Sequence, residues 1–214
     1  MEKTIRIHQG GEISVGTFSL DAKSWTRQPL KNAEQGASIS AKDALIHLGK
    51  IADLRHLVVG IIGPRDASDA QIAAAERVGF VLGGLGLTLI CGGRSGVMEA
   101  ASKGCAQANG LMIGILPGSS PDDANEFVGI PLPTGLGEAR NMIIAKSARV
   151  LIAVGGSYGT LSEVAYGLHF SKPVIGLAGA ADVEGVCHAS EAEEGIELAL
   201  GALLASAPIV AVSE

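Results

Sequence analysis

From residue 56 onward, short apolar runs alternate with helical patterns, and that alternation leaves few folds open. Leu57–Ile62 is an unbroken apolar run, and shorter ones follow at Leu87–Ile90, Leu111–Leu116, Val150–Val154 and Val174–Leu177. Runs of this length, apolar on both faces, suit strands of a parallel sheet. Ser68 and Gln71 start a helix that runs to about Leu82, with Ile72, Ala75, Val78 and Leu82 facing inward. Further helices are expected over Val97–Ala108, Glu138–Ala148, Thr160–His169 and Glu191–Leu204. Residues 119–132 read as a loop with an extended piece at Phe127–Pro131. The expected fold class is α/β, a doubly wound, mostly parallel Rossmann-like sheet. Right-handed crossovers place every strand-to-helix turn on one sheet edge. Ligands bind outside that edge, where the strand order reverses.

Residues 1–55 differ and read as an N-terminal extension, a β-hairpin, a linker and a helix, before a nucleotide-binding domain over 56–214. Thr4–His8 alternates, Gln9-Gly10-Gly11 turns, and Glu12–Val15 alternates again. Residues 21–39 are polar and read as a linker or draped loop. Ser40 and Asp43 open a helix whose Ala44, Leu45, Leu48 and Ile51 mark one face. That helix could cover a sheet edge or pack on a second subunit.

Only 3% of the chain is aromatic although 47% is hydrophobic, so Ala, Val, Ile and Leu must build the core. The small residues of Val97–Ala108 and Val164–Leu168 imply close contacts, with the sheet or with another subunit. No apolar run is long enough to span a membrane, and no signal-peptide pattern opens the chain. Cys91, Cys105 and Cys187 follow no metal or redox spacing and read as reduced thiols of a cytoplasmic protein. The five histidines are scattered, so no metal is expected. A net charge of -6 argues against nucleic acid as a partner but permits a nucleotide in a local basic pocket.

Three arginines stand where helix starts disfavour cations. Arg65 follows Gly63-Pro64, Arg94 follows Gly92-Gly93, and Arg140 follows Gly135-Leu136-Gly137-Glu138-Ala139. Each could pair with a neighbouring carboxylate, Asp66, Glu99 or Glu138. Together they suit a shared anion, since helix-start N–H groups and guanidinium forks make a phosphate site. The Cys91–Met98 turn, with Gly96, lacks the Lys-Ser/Thr ending of a triphosphate loop and the dinucleotide glycine fingerprint. A monophosphate fits it better.

Gly155-Gly156-Ser157-Tyr158-Gly159-Thr160 also follows a strand and opens a helix, so its N–H groups can hold a phosphate. Thr160-x-x-Glu163 has the spacing of a capping box, with Thr160 as cap and Glu163 reaching back to it. Spacing alone therefore leaves Glu163 either a cap or a functional carboxylate.

Gly92-Gly93-x-x-Gly96-Val97-Met98, Gly137–Asn141 and Gly155-Gly156-x-x-Gly159-Thr160-x-x-Glu163 resemble, in order and spacing, the LOG-like superfamily. Its members often carry the label "possible lysine decarboxylase". The resemblance covers about residues 56–205. Thr134–Asn141 looks closest to a branch that also resembles molybdenum cofactor carrier proteins. The better-known branch hydrolyses nucleoside 5′-monophosphates, cytokinin ribotides included, at the N-glycosidic bond. There, residues matching Arg140 and Glu163 are implied to be catalytic. A homodimer or higher homo-oligomer is implied as well. Two positions depart: Val154 stands where the hydrolases have Pro, and Asn141 where they have Lys. These changes count against hydrolysis and leave phosphate binding intact. Lys146 and Lys172 read as surface residues, which excludes a Schiff-base decarboxylase. The leading expectation is a cytoplasmic protein that binds a small phosphorylated ligand, a nucleoside monophosphate or a pterin cofactor, and needs no cofactor of its own. A phosphoribohydrolase and a molybdenum cofactor carrier are the alternatives.

Overall fold

A computed structural model describes residues 4–31 and 33–210. The chain divides into two compact units, one of Met1–Leu54 with Leu200–Glu214 and one of Arg55–Ala199. Residues 200–210 group with the N-terminal segment.

In the first unit, β1 (Ile5–Ile7), β2 (Ile13–Val15), β3 (Phe18–Asp21), β4 (Thr26–Pro29) and β5 (Ala37–Ser38) form an antiparallel sheet of order β4-β3-β2-β1-β5. The expected hairpin is β1–β2, with Ile5 opposite Val15 and Ile7 opposite Ile13. The expected linker over 21–39 is instead largely sheet. Asp21 Oδ1 accepts from Lys23 N at 2.8 Å and turns the chain between β3 and β4. Trp25 and Arg27 are the inward residues of the next stretch, both buried. The Arg27 Nε–H donates to the Ala207 carbonyl at 2.8 Å, and its guanidinium lies 5.6 Å from the Phe18 ring centroid. The segment reads as polar because one of its core side chains is an arginine with a long apolar stem. Helix α1 (Ala41–Gly49) starts at Ser40, whose hydroxyl accepts from Asp43 N at 3.0 Å. It buries Ala44, Leu45 and Leu48, but Ile51 lies past its end and is 55% exposed.

The second unit is the doubly wound sheet. Its strands are β6 (Val58–Ile62), β7 (Thr88–Cys91), β8 (Leu111–Leu116), β9 (Ile130–Pro133), β10 (Val150–Val154), β11 (Val174–Leu177) and β12 (Val186–His188). The order is β12-β11-β10-β6-β7-β8-β9, and every neighbouring pair is parallel. All five residues of β10 are buried, as a strand covered on both faces requires. The crossovers are α2 (Asp69–Gly84), α3 (Val97–Gln107), α4 (Asn141–Ser147) and α5 (Tyr158–His169), and α6 (Ala192–Ala205) follows β12. Ile62, Ile90, Leu151, Val164 and Val174 share one apolar core with Ile144 and Ala145 of α4.

The small residues of α3 let it approach α2 closely. Gly104 packs against the Glu76 carbonyl, and Gly79 of α2 against the Ala101 carbonyl, room that a Cβ would fill. In α5, Gly167 lies against Leu151 of the sheet. The helix expected over 138–148 begins as a 3-10 turn, Gly137–Arg140, before α4. Strand order runs outward from β6 in both directions, so the reversal falls between β6 and β10. The turns that follow those two strands are therefore the ones that frame a ligand.

Candidate functional site

A cleft of about 420 Å³ opens at that reversal. The β6–α2 turn contributes Gly63, Pro64, Arg65 and Asp66 to it, and the β10–α5 turn contributes Gly156, Ser157, Gly159 and Thr160. Met98 of α3 and Glu138, Arg140, Asn141 and Glu163 complete the lining.

Helix α5 starts earlier than its sequence implies. Ser157 is the N-cap, and its hydroxyl accepts from Thr160 N at 3.4 Å. Thr160 is therefore inside the first turn, and the capping box expected of Thr160 and Glu163 does not form. The first intrahelical bond runs from Leu161 N to the Ser157 carbonyl at 2.8 Å. Of the N–H groups before it, that of Thr160 is taken by the Ser157 cap, and those of Tyr158 and Gly159 belong to the open end of the helix.

Freed from capping, Glu163 turns inward one helical turn below Thr160. Its Oε1 accepts from Arg140 Nη1 at 3.3 Å, and both residues are about 95% buried (Arg140 4% and Glu163 5% exposed). Burial pushes the Glu163 carboxyl up to about 8, and nearby Glu138 adds to that rise while Arg140 opposes it. Arg140 Nη1 also donates to Asn141 Oδ1, while its buried Nε–H has no partner. Asn141 Nδ2 in turn donates to Ser162 Oγ at 2.8 Å and to the Gly159 carbonyl at 3.4 Å. Asn141 thus fastens the arginine to the first turn of α5, a clamp that needs both an acceptor and a donor. A lysine there would supply only the donor.

Behind Arg140 lies the β7–α3 turn. A Cβ on Gly92 would meet the Arg140 guanidinium and come within 2.7 Å of Met98 Sδ. Gly93 N–H donates to Cys91 Sγ at 3.3 Å, and burial raises the Cys91 thiol above its ordinary range. Gly96 packs against the Pro64 and Arg65 carbonyls, and Val97 N–H donates to the Pro64 carbonyl at 3.1 Å. This turn therefore props the β6–α2 turn and gives its first helical N–H to protein, not to the cleft.

Of the expected site residues, Gly63, Arg65, Met98, Arg140, Asn141, Gly156, Ser157, Gly159, Thr160 and Glu163 line the cleft. Gly92, Gly93, Arg94, Gly96, Gly155 and Tyr158 do not. Of the three arginines expected around one anion, Arg65 and Arg140 line the cleft and Arg94 does not. The Arg94 backbone carbonyl accepts from Asn125 Nδ2 at 3.0 Å. Arg65 and Glu138 form an exposed pair at 3.9 Å, a separation that contributes little to stability. Pro64, Asp66 and Glu138 line the cleft without having been expected there as site residues. For the two carboxylates the signal was their adjacency to Arg65 and Arg140 in sequence. Among the described residues, no helix is long and apolar enough to cross a membrane.

The chain is similar in sequence and fold to several known proteins. The molybdenum cofactor binding protein of Rippkaea orientalis is 40% identical, with a TM-score of 0.63 over 66% of this chain and 94% of that one. The Moco carrier protein of Chlamydomonas reinhardtii is 38% identical, again with a TM-score of 0.63, over 70% of this chain and 98% of that one. A protein of Archaeoglobus fulgidus described as uncharacterized is 40% identical over 133 residues, 62% of this chain and 87% of its own. The family model of the SLOG cluster4 family matches residues 56–207, which take in the whole cleft, and the chain belongs to that family.

Proposed function

We propose that the cleft binds the phosphate of a small ligand, a nucleoside monophosphate or a phosphate-ended pterin cofactor, and holds it without cleaving it. The observation that carries this reading is the buried Arg140, whose Nε–H has no partner, beside the first turn of α5. An unpaired buried donor on a cation costs stability unless an acceptor arrives. A phosphate oxygen supplies that acceptor and faces the helix N-terminus at the same time. Arg65 at the rim exchanges its exposed Glu138 partner for a second phosphate oxygen. Ser157 and Thr160 hydroxyls add hydrogen bonds at the α5 end.

Binding is favoured over hydrolysis by the state of Glu163. Cleavage of an N-glycosidic bond builds positive charge on the ribose, which an ionised carboxylate would stabilise. A carboxyl pushed up to about 8 is mostly uncharged at pH 7. Such a group suits a site that must accept a dianion without repelling it. Within the binding reading, the likeness to proteins named for molybdenum cofactor binding and carriage favours a phosphate-ended pterin as cargo.

Calorimetric titration tests the anchor. AMP and ribose 5-phosphate bind, and adenosine binds far more weakly. Equal affinity for adenosine and AMP overturns the reading.

A further inference from the structure

We propose that Gln71 is a positioning residue that fixes the β10–α5 turn in its ligand-binding shape, by joining it to the β6–α2 turn and to the end of β11. The inference rests on reading the cleft as an anion site.

The side chain of Gln71 uses both ends of its amide. Its Oε1 accepts from Ser68 N at 3.0 Å, and its own N–H donates to Ser68 Oγ at 3.4 Å, a complete capping box at the start of α2. Its Nε2 then donates to the Ala178 carbonyl at 3.1 Å, 107 residues away. The capping box alone would accept Glu as readily as Gln. Glu would also place a favourable charge at the helix start. Only the donor end requires the amide.

What that donor holds is the backbone behind the cleft. Ala178 has φ of 48°, a left-handed conformation that a residue with a Cβ adopts only when its surroundings enforce it. Just before it, the Leu177 carbonyl accepts from Gly155 N at 2.8 Å and from Ala180 N at 3.1 Å. Gly155, with φ of 66°, lies flat against the Gln71 amide, and a Cβ there would come within 2.6 Å of Gln71 Cδ. Gly156 and Ser157, next in the chain, line the cleft. The Gln71 amide therefore backs Gly155 and ties down the strained residue that follows β11. Gln71 itself does not line the cleft.

The test compares wild type with Gln71→Glu and Gln71→Met. Glu keeps the acceptor of the capping box and loses the donor, whereas Met loses both without adding charge. Gln71→Glu is expected to melt close to wild type, to bind AMP about tenfold more weakly, and to exchange the Gly155 and Ala180 amide hydrogens faster. Gln71→Met shows the same losses and a lowered melting temperature. The AMP loss persists at roughly 0.5 M salt, where a through-space effect of the new carboxylate is screened. Wild-type AMP affinity in Gln71→Glu, or a loss that vanishes in salt, overturns the proposal. If wild type binds no AMP, the phosphate reading fails, and the amide exchange then decides the role of Gln71: unchanged rates at Gly155 and Ala180 overturn it.

Discussion

Glu163 and Arg140 meet at 3.3 Å with both side chains largely buried, and the carboxyl gives up its charge more readily than a surface glutamate would. That relationship sets the pH behaviour of the fold. The folded pKa lies near 8, above the ordinary 4.5, so the native state binds more protons than the unfolded state between those values. Stability from this group is complete below about pH 4.5 and is lost as pH rises toward 8. Glu163→Gln carries no such dependence. The expected result is a variant that gains on wild type by a few kcal/mol between pH 5 and pH 8.5. Denaturant unfolding of both proteins at the two pH values measures it. A difference independent of pH would mean that the carboxyl is ionised throughout.

Gly92→Ala tests how Arg140 is seated. The new methyl would strike the guanidinium and crowd Met98 Sδ, so the arginine must shift. AMP affinity is expected to fall about tenfold or more, on the loss of one well-placed charged hydrogen bond. Calorimetry measures the change, and wild-type affinity would show that Arg140 does not anchor the ligand.

The identity of the α5 cap separates two readings of one short sequence. Ser157→Ala removes the acceptor for Thr160 N and is expected to cost about 1 kcal/mol. Thr160→Val keeps the shape and leaves that cap in place, so its cost should come mainly from the Ser157–Thr160 hydroxyl contact at 3.2 Å. Thermal unfolding of the two variants ranks them, and a larger loss in Thr160→Val than in Ser157→Ala contradicts the observed cap.

Much of the sheet was legible because its strands are buried on both faces. Leu111–Leu116, Val150–Val154 and Val174–Leu177 form strands with the expected bounds, since nothing polar interrupts the run, and the last two are buried throughout. β12 escaped notice: Val186-Cys187-His188 is three residues long and half-exposed, with no apolar run to mark it. β4 escaped for the opposite reason, its buried side chain being Arg27. In the cleft, sequence identified the turns but not their orientation. Arg94 and Arg65 stand in similar turns, yet Arg65 lines the cleft and Arg94 does not. Thr160 and Glu163 kept capping-box spacing, and only the position of Ser157, three residues ahead, decided against it.

Ligand affinity should carry the same proton. A phosphate seated on Arg140 shares that cation with Glu163. Below pH 8 the carboxyl is mostly neutral and tolerates the anion, and above it two negative charges compete for one guanidinium. Wild-type AMP affinity is therefore expected to fall about tenfold from pH 6.5 to pH 9, as expected for two like charges a few ångströms apart under partial screening. AMP itself gains negative charge over the lower part of that range, so the fall must come from the protein. Glu163→Gln should bind AMP as well as wild type at pH 6.5, and more tightly than wild type at pH 9. Calorimetry at the two pH values reads this directly, and release of free base measured on the same samples tests the competing chemistry. A hydrolase would lose roughly 10²–10⁴-fold in rate on Glu163→Gln. A binding protein shows no base release in either form. Turnover by wild type, abolished in the glutamine variant at unchanged melting temperature, would make Glu163 a catalytic residue and replace binding with hydrolysis as the function of the cleft.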